Sequence, residues 1–298
     1  AIIPMLAFRD DDGDYSEVMV DSSPQILRLE ENYSARSLLP TDPVIGFFDH
    51  LIEDYGDEWV TKMMYHYRWH HTYVDAIAKA GNMLPLMSDN QMKPEQHREI
   101  NDFITKRQMN RTALVGSTDQ NRDVIEDSFI RLLTTLETHL TEHQFLLGSR
   151  PGRGDFGLFG QFSQLFFWEP DSSLLAARQS PRSVIWAYQV DDLSSLEISE
   201  NEGWITRNNL PESLLSLLTE IGRTYAPFLI ANAQAIEAED PELSCLIEGR
   251  EYKQAPFAYQ NKCLNWIREA FLQLSADDQQ AVAQILSGTG CEVLFADV

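Results

Sequence analysis

His66 and His70 stand one helical turn apart in "HYRWHH", a spacing at which two imidazoles can share a metal ion. A third ligand is wanted, and no Glu follows His66 as an HExxH zinc motif would require, so these are read as solvent-facing or interdomain histidines. Asp49, Glu53 and Asp57 form an acidic row at i, i+4 and i+8, with Asp54 and Glu58 beside it. A di-iron site would add a Glu-x-x-His partner, which is missing here. The row is therefore expected to be a solvated face or a subunit-facing patch, with Lys62 and Arg68 as salt partners. No metal is expected.

Two shorter phrases could bind rather than react. Ile3-Pro4 opens a strand, where an X-Pro step is an ordinary edge feature. Asp21, Ser22 and Ser23 precede a helical stretch; plain capping explains them, and so would an anion held on the free N–H groups of the helix start. GxGxxG, Walker and GxSxG patterns do not occur with the flanking elements that they need.

These residues must be positioned by elements that the periodicity defines. "MLAF", "DDDGDY" and "SEVMV" read as strand, turn, strand. After the Asp and Ser cap candidates, "PQILRLEENY" reads as an amphipathic helix carrying Ile26, Leu27, Leu29 and Tyr33. After a linker at 35–41, Asp42 caps a long helix with Pro43 at its first position and Val44, Phe48, Leu51, Ile52, Tyr55, Trp59 and Met63 on one face, bent near Gly56. Residues 94–111 predict a polar helix. Ile125, Phe129, Leu132, Leu133, Leu136 and Leu140 mark the core face of the next.

A Gly-rich loop then leads into an aromatic helix. In that helix Phe156, Phe159, Phe162, Phe166, Phe167 and Trp168 suit either core or a pocket wall. Residues 193–210 read as a surface excursion. A helix through Leu214–Leu229 follows, kinked at Pro227. "LSCLIEGREYKQ" predicts a hairpin. Cys263, Trp266, Ile267, Ala270, Phe271 and Leu274 predict one buried helix face, and "SADDQQAVAQIL" a final capped helix.

The bulk properties exclude several functions. The 298 residues, 43% hydrophobic, can bury one large core or two ordinary ones; two are expected. Twenty-three Lys and Arg against 46 Asp and Glu give a net charge of -23. Such a surface repels phosphate backbones and anionic lipid, so neither nucleic acid nor membrane is expected as a partner. Three cysteines without CxxC spacing argue against a disulfide framework and for a reducing, cytoplasmic setting. No apolar run approaches a membrane span.

The order of "IIPML", hairpin, "VDSS" with the helix "PQILRLEENY" after it, and "LLPTDP", followed by "EDYGDEWVTKMMYHYRW" and "FLLGSRPGRGDFGLFG", resembles the glutathione transferase superfamily, in a bacterial-type branch, over roughly the first 190 residues. The resemblance implies a mainly α fold: a partial thioredoxin-like element at 1–34, a linker at 35–41, a helical domain at 42–192 and a helical extension with a small hairpin at 193–298. It implies that Ile3 and Pro4 pair their backbone with the cysteinyl unit of glutathione. Asp21 would answer the γ-glutamyl ammonium and Ser22 its carboxylate. In "GSRPGRGDF" the family's Ser or Thr cap is replaced by Gly152, with Asp155 kept; Gly costs a few tenths of a kcal/mol at such a site.

The family's catalytic Tyr, Ser or Cys belongs to a strand-helix-strand unit of roughly 30 residues expected upstream of residue 1, so no catalytic residue is assigned. The expected function is conjugation of the glutathione thiolate to a small hydrophobic electrophile, in a homodimer. The rival is a non-catalytic binding or assembly module on the same scaffold, using the residues after 193. Tyr65, Tyr67 and Trp69 are further loose candidates for the electrophile pocket.

Overall fold

Alternation and turn chemistry shape the start of the chain. The computed structural model describes residues 4–33, 35–70, 75, 79, 91–199 and 202–296; Ile3 lies outside them. Strand β1 (Met5–Arg9) pairs antiparallel with β2 (Tyr15–Val20), Met5 opposite Val20, and the register slips between Phe8 and Arg9. The Asp10 carboxylate accepts the N–H groups of Asp12 and Asp14, closing the turn. Helix α1 (Ser22–Asn32) follows, capped by Asp21. Its predicted apolar face is not buried: Leu27, Leu29 and Tyr33 are exposed, and Gln25 is the residue turned inward. Gln25 donates to the carbonyls of Pro4 and Met19, tying both strand ends to the helix.

Helix α2 (Pro43–Tyr55) begins as predicted, with Asp42 accepting the N–H groups of Val44 and Ile45. The bend expected at Gly56 is a wide π-helical turn, Gly56–Val60, which leads into α3 (Thr61–Trp69). Every member of the predicted stripe, from Val44 to Met63, is fully buried. Around it pack α4 (Pro94–Met109), α5 (Arg122–His139), α6 (Arg153–Ser163), a second π-helical turn (Gln164–Trp168), α7 (Pro170–Gln179) and α8 (Pro181–Asp191).

The described residues of 193–210 hold no helix, yet they are pinned to the body. Ile205 donates to the Leu147 carbonyl, Ser149 donates to that of Gly203, and the Arg150 guanidinium lies 4.7 Å from the Trp204 ring centre. Helix α9 (Glu212–Glu237) then runs through Pro227 as one element. Its apolar face closes the core against α2 and α5, where Trp59 donates to Ser128 and Ser128 to Glu220. Strands β3 (Leu243–Ile247) and β4 (Arg250–Gln254) form the second hairpin, turning at Glu248 and Gly249, both left-handed. Helices α10 (Ala258–Leu272) and α11 (Ala276–Leu286, capped by Ser275) pack on α2, and a short 3-10 turn, Cys291–Phe295, follows them. The chain is mainly α with two small antiparallel hairpins, and no described helix is long and apolar enough to cross a membrane.

Candidate functional site

Opposite its buried stripe, α2 presents Phe47, His50 and Asp54 at spacings of three and four residues, and the π-helical turn continues that face with Asp57 and Glu58. Together with Ser23, Pro24 and Leu27 of α1 and Tyr259, Cys263 and Trp266 of α10, these side chains line a cavity of about 620 Å³. That volume falls in the ordinary range for a small-molecule site, roughly 300–1,000 Å³. Phe47, Trp266, Ala270 and Leu274 supply apolar wall; the carboxylates are concentrated along the π-helical turn. A second cavity of similar size, between Leu29, Tyr33, Phe156 and Leu196, is apolar and brings few titratable groups together.

Charge is distributed unevenly around the acidic cavity. Arg153 is 3.3 Å from Glu53 and His50 3.6 Å from it, which hold Glu53 below the usual carboxylate range although burial opposes them. Asp54 accepts the Tyr225 hydroxyl at 2.6 Å, yet burial keeps its carboxyl raised. Burial, followed by the charges of Glu53, Glu58, Asp54 and Asp21, pushes Asp57 up to about 8. Glu58 rises to about 7 through burial and then Asp54, against a hydrogen bond from Gln260. The Cys263 thiol is driven well above its ordinary range by burial and by Asp54 and Glu58, so it stays protonated.

The four residues expected to bind glutathione are placed as follows. Ile3 is not among the described residues. Pro4 is exposed and offers its carbonyl to Gln25. Asp21 and Ser22 open α1, one turn from Gln25 and beside the Ser23 and Pro24 that line the cavity. Asp21 has φ 82, a left-handed conformation that costs a non-glycine residue of order 1–3 kcal/mol and is typically found at sites the surrounding structure constrains. Its carboxylate accepts the Ser23 N–H at 3.3 Å and the Tyr259 hydroxyl at 2.5 Å. Helix α10 thus closes over the start of α1, a contact between residues 238 positions apart that no local pattern announces.

Other expectations are corrected. Asp49 and Glu53 are not a solvated row: they are 0% and 2% exposed. Their cation is Arg153, whereas Lys62 bonds Gln254 and Arg68 faces Glu169. His66 and His70 are buried rather than solvent-facing, their rings 4.5 Å apart. His66 meets Ser117 and Glu126, and His70 meets Asp119. Among the described residues no cluster of three His, Cys, Asp or Glu is arranged to hold a metal ion.

Tyr67 and Trp69 are core, and the Tyr65 hydroxyl bonds the Gln108 carbonyl; none lines the cavity. Phe162 and Phe166 are core, and Phe156 faces the second cavity. Trp266, expected on a buried face, is 40% exposed and forms cavity wall. Comparison with family models, with curated proteins and with solved structures yields no match.

Proposed function

We propose that the chain is a glutathione transferase-like protein whose cavity between α1, α2 and α10 is the ligand site. The observation that carries this reading is Asp21: a strained, non-glycine cap at the first turn of α1, whose carboxylate accepts the hydroxyl of Tyr259, a residue of the cavity wall. An acidic group there suits the γ-glutamyl ammonium of glutathione, and the Ser22 hydroxyl with the free amides of the helix start suits the neighbouring carboxylate. Phe47, Trp266 and Leu274 offer apolar surface to an electrophile beside the thiol. Titration calorimetry on the full chain tests it. Glutathione should bind, and Asp21→Ala should weaken it by about tenfold, the scale of one charge-assisted hydrogen bond; unchanged affinity in that variant would sink the assignment.

One observation favours the non-catalytic reading over conjugation. Tyr259 already occupies Asp21, and burial and Asp21 both hold its phenol protonated, so the extension covers the binding position without supplying a group that ionises near neutral pH. Binding of glutathione with no conjugation of any electrophile tried would place the chain in that class.

A further inference from the structure

We infer that the acidic cavity accepts a small organic cation, an ammonium or guanidinium joined to an apolar body, with the charged end against Asp57 and Glu58. The inference rests on the proposal that this cavity is the ligand site, but not on glutathione being the ligand.

Unequal pairing is the first ground. Three of the neighbouring acids have an internal partner: Asp21 has Tyr259, Glu53 has Arg153, and Asp54 has Tyr225. Asp57 lines the cavity with no hydrogen bond or ion pair to any described residue, and its charged neighbours are all carboxylates. A partly buried carboxylate in that setting lacks a cation that the chain itself does not deliver. Arg153 and His50 are committed to Glu53; Lys62 acts on Glu58 through its charge, but its ammonium is hydrogen-bonded to Gln254 and stands over the Phe228 ring, so Asp57 is left without a cation.

A second ground is Gln260, only 4% exposed, on the turn of α10 between Tyr259 and Cys263. Its side chain acts on Glu58, opposing the rise of that carboxyl, and its own amide oxygen is buried without a hydrogen-bond partner. Buried amide oxygens are rarely left so. Gln260 stands behind the cavity wall rather than on it, so an N–H donor that reached past Glu58 would satisfy this acceptor while neutralising the acids.

The wall opposite fixes the rest of the ligand. Trp266 stands at the cavity edge with Tyr259 at right angles to it, ring centres 5.9 Å apart, and Phe47 faces from α2. Aromatic faces next to an acidic floor select an organic cation over a hydrated metal ion, because they stack on the apolar body and attract its charge.

The test is calorimetry on the full chain with 2-phenylethylammonium and 2-phenylethylguanidinium, against 2-phenylethanol and 3-phenylpropionate. The expected result is binding of at least one cation, about tenfold or more weaker binding of the alcohol, and none of the carboxylate. Asp57→Asn and Glu58→Gln should each abolish that preference without lowering the melting temperature of the free protein, since each removes a carboxylate that burial opposes. Equal binding of cation and alcohol, an unaltered preference in Asp57→Asn, or no binding of either cation at millimolar concentration would overturn the inference. Glutathione titrated in parallel separates the two proposals. Glutathione without cations would leave the transferase-like reading standing alone, and cations without glutathione would leave this one.

Discussion

Asp49 does work that a helix cap usually does for itself. Its carboxylate, on α2, accepts the N–H groups of Arg153 and Gly154 at 3.0 and 2.9 Å, satisfying the first amides of α6 from a neighbouring helix. A Cβ at Gly152 would fall 2.5 Å from Asp49 Oδ1. Gly152 is therefore required by the neighbouring acid, not merely tolerated as a poor cap. Asp155 completes the arrangement by accepting from Gly152, Leu146 and Trp186. Asp49→Ala should cost about 2–3 kcal/mol, since it strands buried amides. Gly152→Ser, which restores the ordinary cap residue, should cost about 1–2 kcal/mol through steric conflict. Combined, the two should be less harmful than their sum by about 1 kcal/mol, because the serine then caps unopposed. Denaturant unfolding of the four proteins measures the coupling, and strict additivity would refute this account. The sequence shows Gly152 and Asp155 plainly. It does not show Asp49 because the partner lies over 100 residues away, and an acidic row at helical spacing reads as solvated until that partner is known.

At the level of elements, the contact that sets the site is the crossing of α2 with α6. A Cβ on Gly56 would lie 2.7 Å from the Gly157 backbone, and one on Gly157 would lie 2.8 Å from the Glu53 carbonyl. Two backbones touch here, at the start of the π-helical turn that carries Asp57 and Glu58. Gly157→Ala should force the helices apart, destabilising by roughly 1–3 kcal/mol and weakening any ligand of the acidic cavity. Gly160→Ala, on the same helix with open space around it, should do neither. Thermal unfolding and ligand titration of both variants decide it; equal effects would mean that the crossing does not set the site. The long helices were legible because a fully buried stripe such as Val44 to Met63 imposes a 3.6-residue period. The cavity was not. Trp266 keeps that same period with Cys263 and Ile267, and periodicity cannot distinguish a side chain facing core from one facing a void. The apolar stripe on α1 misled for a related reason: Ile26, Leu29 and Tyr33 have helical spacing, but Leu29 and Tyr33 are exposed.

The whole molecule carries a net charge of -23 and concentrates part of it where water is scarce. Burial, first of all, raises Asp57 to about 8 and Glu58, Asp49 and Asp155 to about 7. An unfolded chain releases those protons near pH 4. From there up to about pH 8 the folded state therefore binds more protons than the unfolded one, and stability falls as pH rises. His139 acts in the opposite sense. Burial, then His143, lowers it to about 4, so between pH 4 and 6.5 the unfolded state gains a proton that the folded state refuses. The two tendencies oppose each other below pH 6.5, while above it the carboxylates act with the general repulsion of an anionic surface. Melting temperature should consequently fall between pH 6 and pH 8.5, with Asp57 contributing on the order of 1–2 kcal/mol after allowance for its partial exposure to solvent. Asp57→Asn should flatten this decline, and a saturating organic cation should flatten it in the unaltered protein, because a bound positive charge favours the ionised acids. Thermal denaturation at half-unit pH steps, with and without 2-phenylethylammonium, gives both slopes. Parallel curves for the wild type and Asp57→Asn would mean that the cavity acids ionise freely in the folded chain, and the electrostatic case for a cationic ligand would lose its footing.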